Sequence, residues 1–255
     1  MTRPSGPDFV LSTHEFDILW WALDFGRIPY PLEVPRIGRT PEQRAEFANE
    51  VYRELGDRGL MTGAAVDDGL VSALRLLTCY HVAVDVVGDI GYPVRALAAA
   101  GSECGVLAVL AGGELWLTRV SSTALAAAIT GVLPRCAPGT GPEKSLPCAA
   151  FGEAGDPLGE AIAAAGLGGG RRRSGLFGAS TGDHRRSVTP VVWVDTEEGR
   201  YVMARNGSAL HVAPGDKAAL ERHVATILAE VSVVPAQPGA SAAPGVWGHA
   251  PSGGA

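Results

Sequence analysis

Shifted against itself by 95 residues, this chain of 255 matches its own later part. Leu107 falls on Val202, Gly112 on Gly207, Leu115 on Leu210 and Leu117 on Val212. Farther on, Leu125 falls on Leu220, Ile129 on Val224 and Leu133 on Leu228. Both copies read alike: an alternating run, a turn (Ala111-Gly112-Gly113-Glu114 or Asn206-Gly207), a second alternating run, then apolar residues at helical spacing. Two unrelated strand–turn–strand–helix units would share part of this pattern. The coincidence of turn, strands and helix at one offset predicts an internal duplication instead, with two β-rich halves joined into one pseudo-symmetric sheet.

The flanking sequence adds helices. Ser12-Thr13-His14-Glu15 is a capping box, and Phe16, Leu19, Trp20 and Leu23 follow as one apolar face that Gly26 stops. Pro29, Pro31 and Pro35 force residues 28–35 to run extended. Thr40-Pro41-Glu42-Gln43 opens a second helix with Phe47, Val51 and Leu55 as its stripe, and Asp67 caps a third carrying Leu70, Leu74 and Leu77. Val82, Val84 and Val86 then change the period to two, and further strands are expected near 93–100, 174–180 and 188–195. Residues 1–8 read as a flexible N-terminus and 9–231 as one α+β domain. Its halves, about 9–133 and 157–231, are joined by a Pro/Gly-rich loop over 134–156, and a short helix is expected over roughly 157–167. Residues 232–255, without a single charged side chain, read as a flexible Ala/Pro/Gly tail.

Composition narrows the class of function. Lys and Arg number 21 against 27 Asp and Glu, a formal charge of −6, so nothing draws the chain as a whole to nucleic acid or an anionic membrane. No run approaches the roughly 18 apolar residues of a membrane span, and the N-terminus carries no apolar signal core. Cys79, Cys104, Cys136 and Cys148 form no Cys-x-x-Cys pair and stand near no histidine at zinc spacing. They read as free thiols in a reducing cytoplasm, and no metal or cofactor is expected.

Short motifs add little chemistry. Gly178-Ala179-Ser180-Thr181-Gly182 fits G-x-S-x-G, but a nucleophile elbow needs a helix after the serine, and a β-branched run follows here. A serine hydrolase using Ser180 is the alternative from another class. Gly139–Ser145 has Glu143 where a phosphate loop needs glycine before its lysine. Arg171–Arg173, with Arg185 and Arg186, concentrate positive charge, either for an acidic partner or as a solvated edge. Trp20 belongs to the buried stripe; Trp21, about 100° round the helix, either widens that face or meets a partner.

Over about Phe9 to Val231 the chain resembles the EspG family of ESX (type VII) secretion-associated proteins of actinobacteria. The resemblance rests on Leu11–Trp20, Pro29–Val34 and Gly38–Arg44, and later on Arg172–Gly178, Asp195–Tyr201 and Val212–Pro214, in the same order and at similar distances. It implies an α+β fold with a central antiparallel sheet, quasi-twofold symmetry and two helical bundles. It also implies a cytosolic chaperone without enzymatic activity, which binds helical secretion substrates, PE–PPE-like or small WXG-like, and keeps them soluble for export. In characterised relatives, the sheet, the C-terminal helices and a loop between early sheet strands touch the client. The loop that matches by position, Gly88–Tyr92, is short here.

From residue type, the expected client contacts are Phe177, Trp193 and Tyr201 as aromatic area on the sheet, with Arg172 and Arg173 at its rim. That expectation fails if Trp193 and Tyr201 are buried in the monomer. An architectural homodimer pairing exposed sheet edges is a third reading.

Overall fold

Ser12 marks the first change from extended to helical backbone. In the computed structural model, which describes residues 6–147, 162–163, 165–167, 170–187, 190–206 and 208–233, strand β1 (Phe9–Ser12) ends there and α1 (Thr13–Ala22) begins. The Ser12 hydroxyl accepts the Glu15 N–H at 3.2 Å and the Glu15 carboxylate accepts the Ser12 N–H at 2.6 Å, so both halves of the capping box form. Thr40 caps α2 (Pro41–Asp57), and after a small hairpin of β2 (Met61–Thr62) and β3 (Ala65–Val66), Asp67 caps α3 (Asp68–Leu76). A meander of β4 (Val82–Asp89), β5 (Pro93–Ala100), β6 (Cys104–Ala111) and β7 (Glu114–Ser121) leads into α4 (Leu125–Thr130). Strand β8 (Lys144–Pro147) precedes a second meander of β9 (Arg173–Thr181), β10 (Val191–Thr196), β11 (Gly199–Asn206) and β12 (Ala209–Pro214). Helix α5 (Lys217–Val233) closes the fold, its first turn capped where the Asp216 carboxylate accepts the Ala219 N–H at 2.9 Å.

Ten of these strands form one sheet in the order β1-β7-β6-β5-β4-β9-β10-β11-β12-β8, every pairing antiparallel. Read inward from either edge the order is the same: a leading strand, then the last strand of its half, then the meander back to the centre. The ladders carry the sequence offset. Ala108 pairs with Leu117 and Met203 with Val212; Leu97 pairs with Ala108 and Val192 with Met203. Each second pair is the first advanced by 95. The halves meet where Val86 on β4 faces Phe177 on β9.

Side-chain alternation sorts the core into layers. One face of the first half packs Leu97, Leu115 and Leu117 against Phe16, Leu19 and Leu74 of α1 and α3, with Val51 and Leu55 of α2. On that face of the second half, Val192, Val194, Met203 and Val212 pack with Ile162 and Ala165. The opposite face is covered across the centre by α4 and α5, where Leu125, Ile129, Leu220 and Val224 meet Val84, Val86, Phe177 and Trp193. The helices therefore form two groups, one on each face. Phe47, expected in the α2 stripe, is 40% exposed. Arg44 takes its inward place, buried against Asp17 at 2.8 Å.

The loop expected over 134–156 contains a strand. Four residues that include Lys144 and Pro147 give no period to read, and β8 exists because the free edge of β12 pairs with it. The approach to β8 is strapped across β11. The Arg200 guanidinium, buried on Asp195 at 2.6 and 2.9 Å, also donates to the Pro134 carbonyl at 2.9 Å, and the Arg200 N–H donates to the Ala137 carbonyl. Most of the short helix expected over 157–167, and the tail beyond Val233, lie outside the described residues.

Candidate functional site

The two halves end in helices of unequal length. Helix α5 runs 17 residues and buries Val202 beneath it, whereas α4 runs six and stops at Thr130. Beyond α4 the sheet face stays open as a groove of about 470 Å³. Tyr92, Leu107, Val109, Trp116, Val120 and Val132 are among its lining residues, none of which is charged. Trp116 is 42% exposed and Tyr92 52%. Trp116 stands outward on β7 because Leu115 and Leu117 point into the core on the other face, and its indole N–H donates to the Glu114 carboxylate at 2.8 Å.

Advancing the groove by 95 residues shows what the second half does differently. Leu107, Val109, Trp116 and Val120 become Val202, Ala204, His211 and Gly215. The first of these is under α5, and the rest are small or polar. Among the described residues the exposed large apolar side chains all lie in the first half, Tyr92 and Trp116 in this groove, as at interaction sites. The β4–β5 turn closes one end of the groove: Ile90 and Tyr92 line it, and Asp89 holds the turn by accepting the Gly91 N–H at 2.8 Å. Asp89 pairs with Ser174, so Arg172 and Arg173 leave the sheet at the same end.

The structure redistributes the expected contact residues. Phe177, Trp193 and Tyr201 are 0%, 0% and 3% exposed, so all three are core and none offers contact area. Phe177 and Trp193 lie under α4 and α5. A cross-strand glycine pair makes room for the indole: a Cβ on Gly175 would sit 2.9 Å from Trp193 Nε1 and 2.8 Å from Gly88 Cα. Tyr201 faces the other side as a clamp on the strap. Its hydroxyl accepts the Gly141 N–H at 2.8 Å and donates to Glu198 at 3.1 Å, while its ring leaves no space for a Cβ on Gly139. Residue type alone cannot tell an aromatic that faces out from one that faces in; on β10 and β11 both faces are covered. Arg172 is at the surface on Glu197 at 3.1 Å, and Arg173 is half-buried 3.9 Å from Asp195. Trp116 went unread, although its place between Leu115 and Leu117 and its offset partner His211 were both in the sequence.

Ser180 does not sit on an elbow. It lies within β9, bridges to Arg186 on the returning chain, and its side chain meets the Tyr80 hydroxyl at 3.4 Å. It borders a cleft of about 500 Å³ at the sheet centre. There Arg186 holds the buried Asp85 at 2.9 Å and lies over the Tyr30 ring. Burial pushes the Asp85 carboxyl up to about 6, and Arg186 offsets part of that shift. Trp21 is 48% exposed with the Arg44 guanidinium over its ring.

The family model described as the EspG family matches residues 12–226. The fold is similar to that in a solved structure of the Mycobacterium tuberculosis type VII secretion system chaperone EspG5 in complex with a PE25–PPE41 dimer. That similarity has a TM-score of 0.64 at 15% identity, covering 86% of this chain and 95% of that one. Among curated proteins no match was found.

Proposed function

Because this chain belongs to the EspG family, we propose that it is a cytoplasmic chaperone of a type VII (ESX) secretion system, which binds a helical substrate of PE–PPE type and keeps it soluble for export. The observation that carries the surface assignment is the charge-free groove beside the short α4, whose offset positions in the second half lie under α5 or are small or polar. A helical tip laid there would remove Trp116 and Tyr92 from water, and aromatic anchors of this kind dominate binding energy. Arg172 and Arg173, at the same end as the β4–β5 turn, provide a polar rim. The work is done by burial, with no bond made or broken. No helix among the described residues is long and apolar enough to cross a membrane.

The test is co-expression of the tagged chain with candidate PE–PPE heterodimers, followed by size-exclusion chromatography. A cognate pair should co-elute with the native chain and with Ser180→Ala, but not with Trp116→Asp. Undiminished co-elution with a folded Trp116→Asp variant would place the client elsewhere.

A further inference from the structure

We infer that the helical group on the sheet face opposite the groove carries a second docking surface, built on Trp21, Arg36 and Arg39, for an acidic segment of a partner protein. The docking itself does not depend on what fills the groove; that both surfaces are occupied at once rests on the client reading.

Trp21 lies in the last turn of α1 with its ring exposed. A hollow of about 490 Å³ opens beside it, lined also by Arg36, Arg39, Thr40 and Arg44, and no carboxylate is among its lining residues. Arg36 and Arg39 are exposed, and among the described residues neither guanidinium is paired. In a chain of formal charge −6, two unpaired arginines beside an open aromatic face make a local field that selects carboxylates. The acids close by are otherwise engaged or set apart. Asp17 is buried on Arg44. Asp24 and Glu33 border a neighbouring hollow, where Arg27 lies 3.9 Å from Glu33. The Glu42 carboxyl is held below its ordinary range by bonds to its own N–H and to Thr40.

The surface is also fixed in advance. The Arg44 guanidinium lies 4.9 Å from the centre of the Trp21 ring and donates to Asp17 at 2.8 Å and to the Ile37 carbonyl at 2.7 Å. One buried side chain thereby holds both the indole and the loop that carries the two arginines. In that loop the Ile37 N–H donates to Asp17 at 3.0 Å and the Arg39 N–H to the Gln43 side chain at 2.9 Å. Gly38 between them has φ +75°, and a Cβ there would sit 3.0 Å from the Arg44 nitrogen, so the loop lies close against α2. A partner segment meets an ordered platform and loses little affinity to ordering it. The two surfaces select different chemistry: the groove is lined without charge, whereas here an aromatic face is flanked by positive charge. An apolar helical tip and an acidic segment therefore do not compete.

A random dodecapeptide display library, panned on the full chain, tests this. Selected peptides should carry several Asp or Glu beside an aliphatic or aromatic residue. As free peptides they should bind about tenfold more weakly to the chain carrying both Arg36→Glu and Arg39→Glu, and about thirtyfold more weakly to Trp21→Ala. The double variant changes only exposed, unpaired side chains and keeps the fold. Peptide binding should survive Trp116→Asp, and the double variant should still co-elute with a PE–PPE pair. Selected peptides without acidic residues, no enrichment at all, or acidic peptides that bind the double variant equally well overturn the proposal. So does loss of PE–PPE co-elution in the double variant, which would make this face part of the client site. Acidic peptides that bind as expected while no PE–PPE pair co-elutes with the native chain would sink the client reading and leave this surface standing.

Discussion

The two halves of the sheet share strand order, register and a 95-residue offset, yet one is sealed and the other open. In the second half α5 lies over Val202, and small or polar residues take the outward positions. In the first half α4 stops after six residues, and Leu107, Val109 and Trp116 remain at the surface. Both halves would be stable covered. Leaving one uncovered gives up burial worth roughly 25 cal/mol per Å² of apolar surface. Pseudo-symmetry thus serves as an internal control, because it marks where the two copies disagree.

Leu220→Asp puts a charge beneath α5 at a fully buried site and should destabilise the fold by about 5 kcal/mol in urea titration. A loss under about 1 kcal/mol would mean that α5 does not seal its half. Asp195→Ala strands the buried Arg200 guanidinium and releases the strap at Pro134, for an expected loss of about 4 kcal/mol. A near-neutral result would show that the strap is held by its backbone bonds alone.

Asp85 gives the next largest effect, and its sign is opposite to that of most carboxylates. Its folded value of about 6 lies above the ordinary 3.8, so the native state holds the proton more tightly than the unfolded chain. Stability relative to Asp85→Asn should therefore rise as pH falls through about 6 towards 4, by up to about 1.4 kcal/mol per unit. Denaturation of both proteins at pH 7, 6 and 5 measures this, and parallel curves would contradict the assignment. In the open groove, Trp116→Asp should change stability by no more than about 0.5 kcal/mol while abolishing client co-elution. If it costs as much as Leu220→Asp, the groove is core. Arg172→Ala removes only an exposed ion pair with Glu197, and its stability should stay within about 0.5 kcal/mol of native.

Much of this was readable before any coordinates. The Ser12 capping box, the Asp67 cap and the strand period at Val82 are local signals, and each formed as expected. The offset of Leu107 on Val202 became a register offset because strand pairing preserves sequence spacing. What escaped was non-local. Phe177, Trp193 and Tyr201 looked like contact residues because nothing in a strand's alternation says that both its faces will be covered. Lys144–Pro147 looked like loop because its partner strand lies more than sixty residues later. Phe47 looked like part of the buried α2 stripe, because the arginine that takes its inward place is explained only by an Asp17 that meets Arg44 from another helix.

The pairing of β4 with β9 carries a consequence for the chain while it is being made. Val82 must wait for Thr181, and at about 5 to 20 residues per second the ribosome takes roughly 5 to 20 s to supply it. Through that interval β4, rich in valine, lines the growing polypeptide with unpaired N–H and C=O groups, an invitation to other nascent strands. Until the second half is made, the centre of the ten-stranded sheet is an open edge.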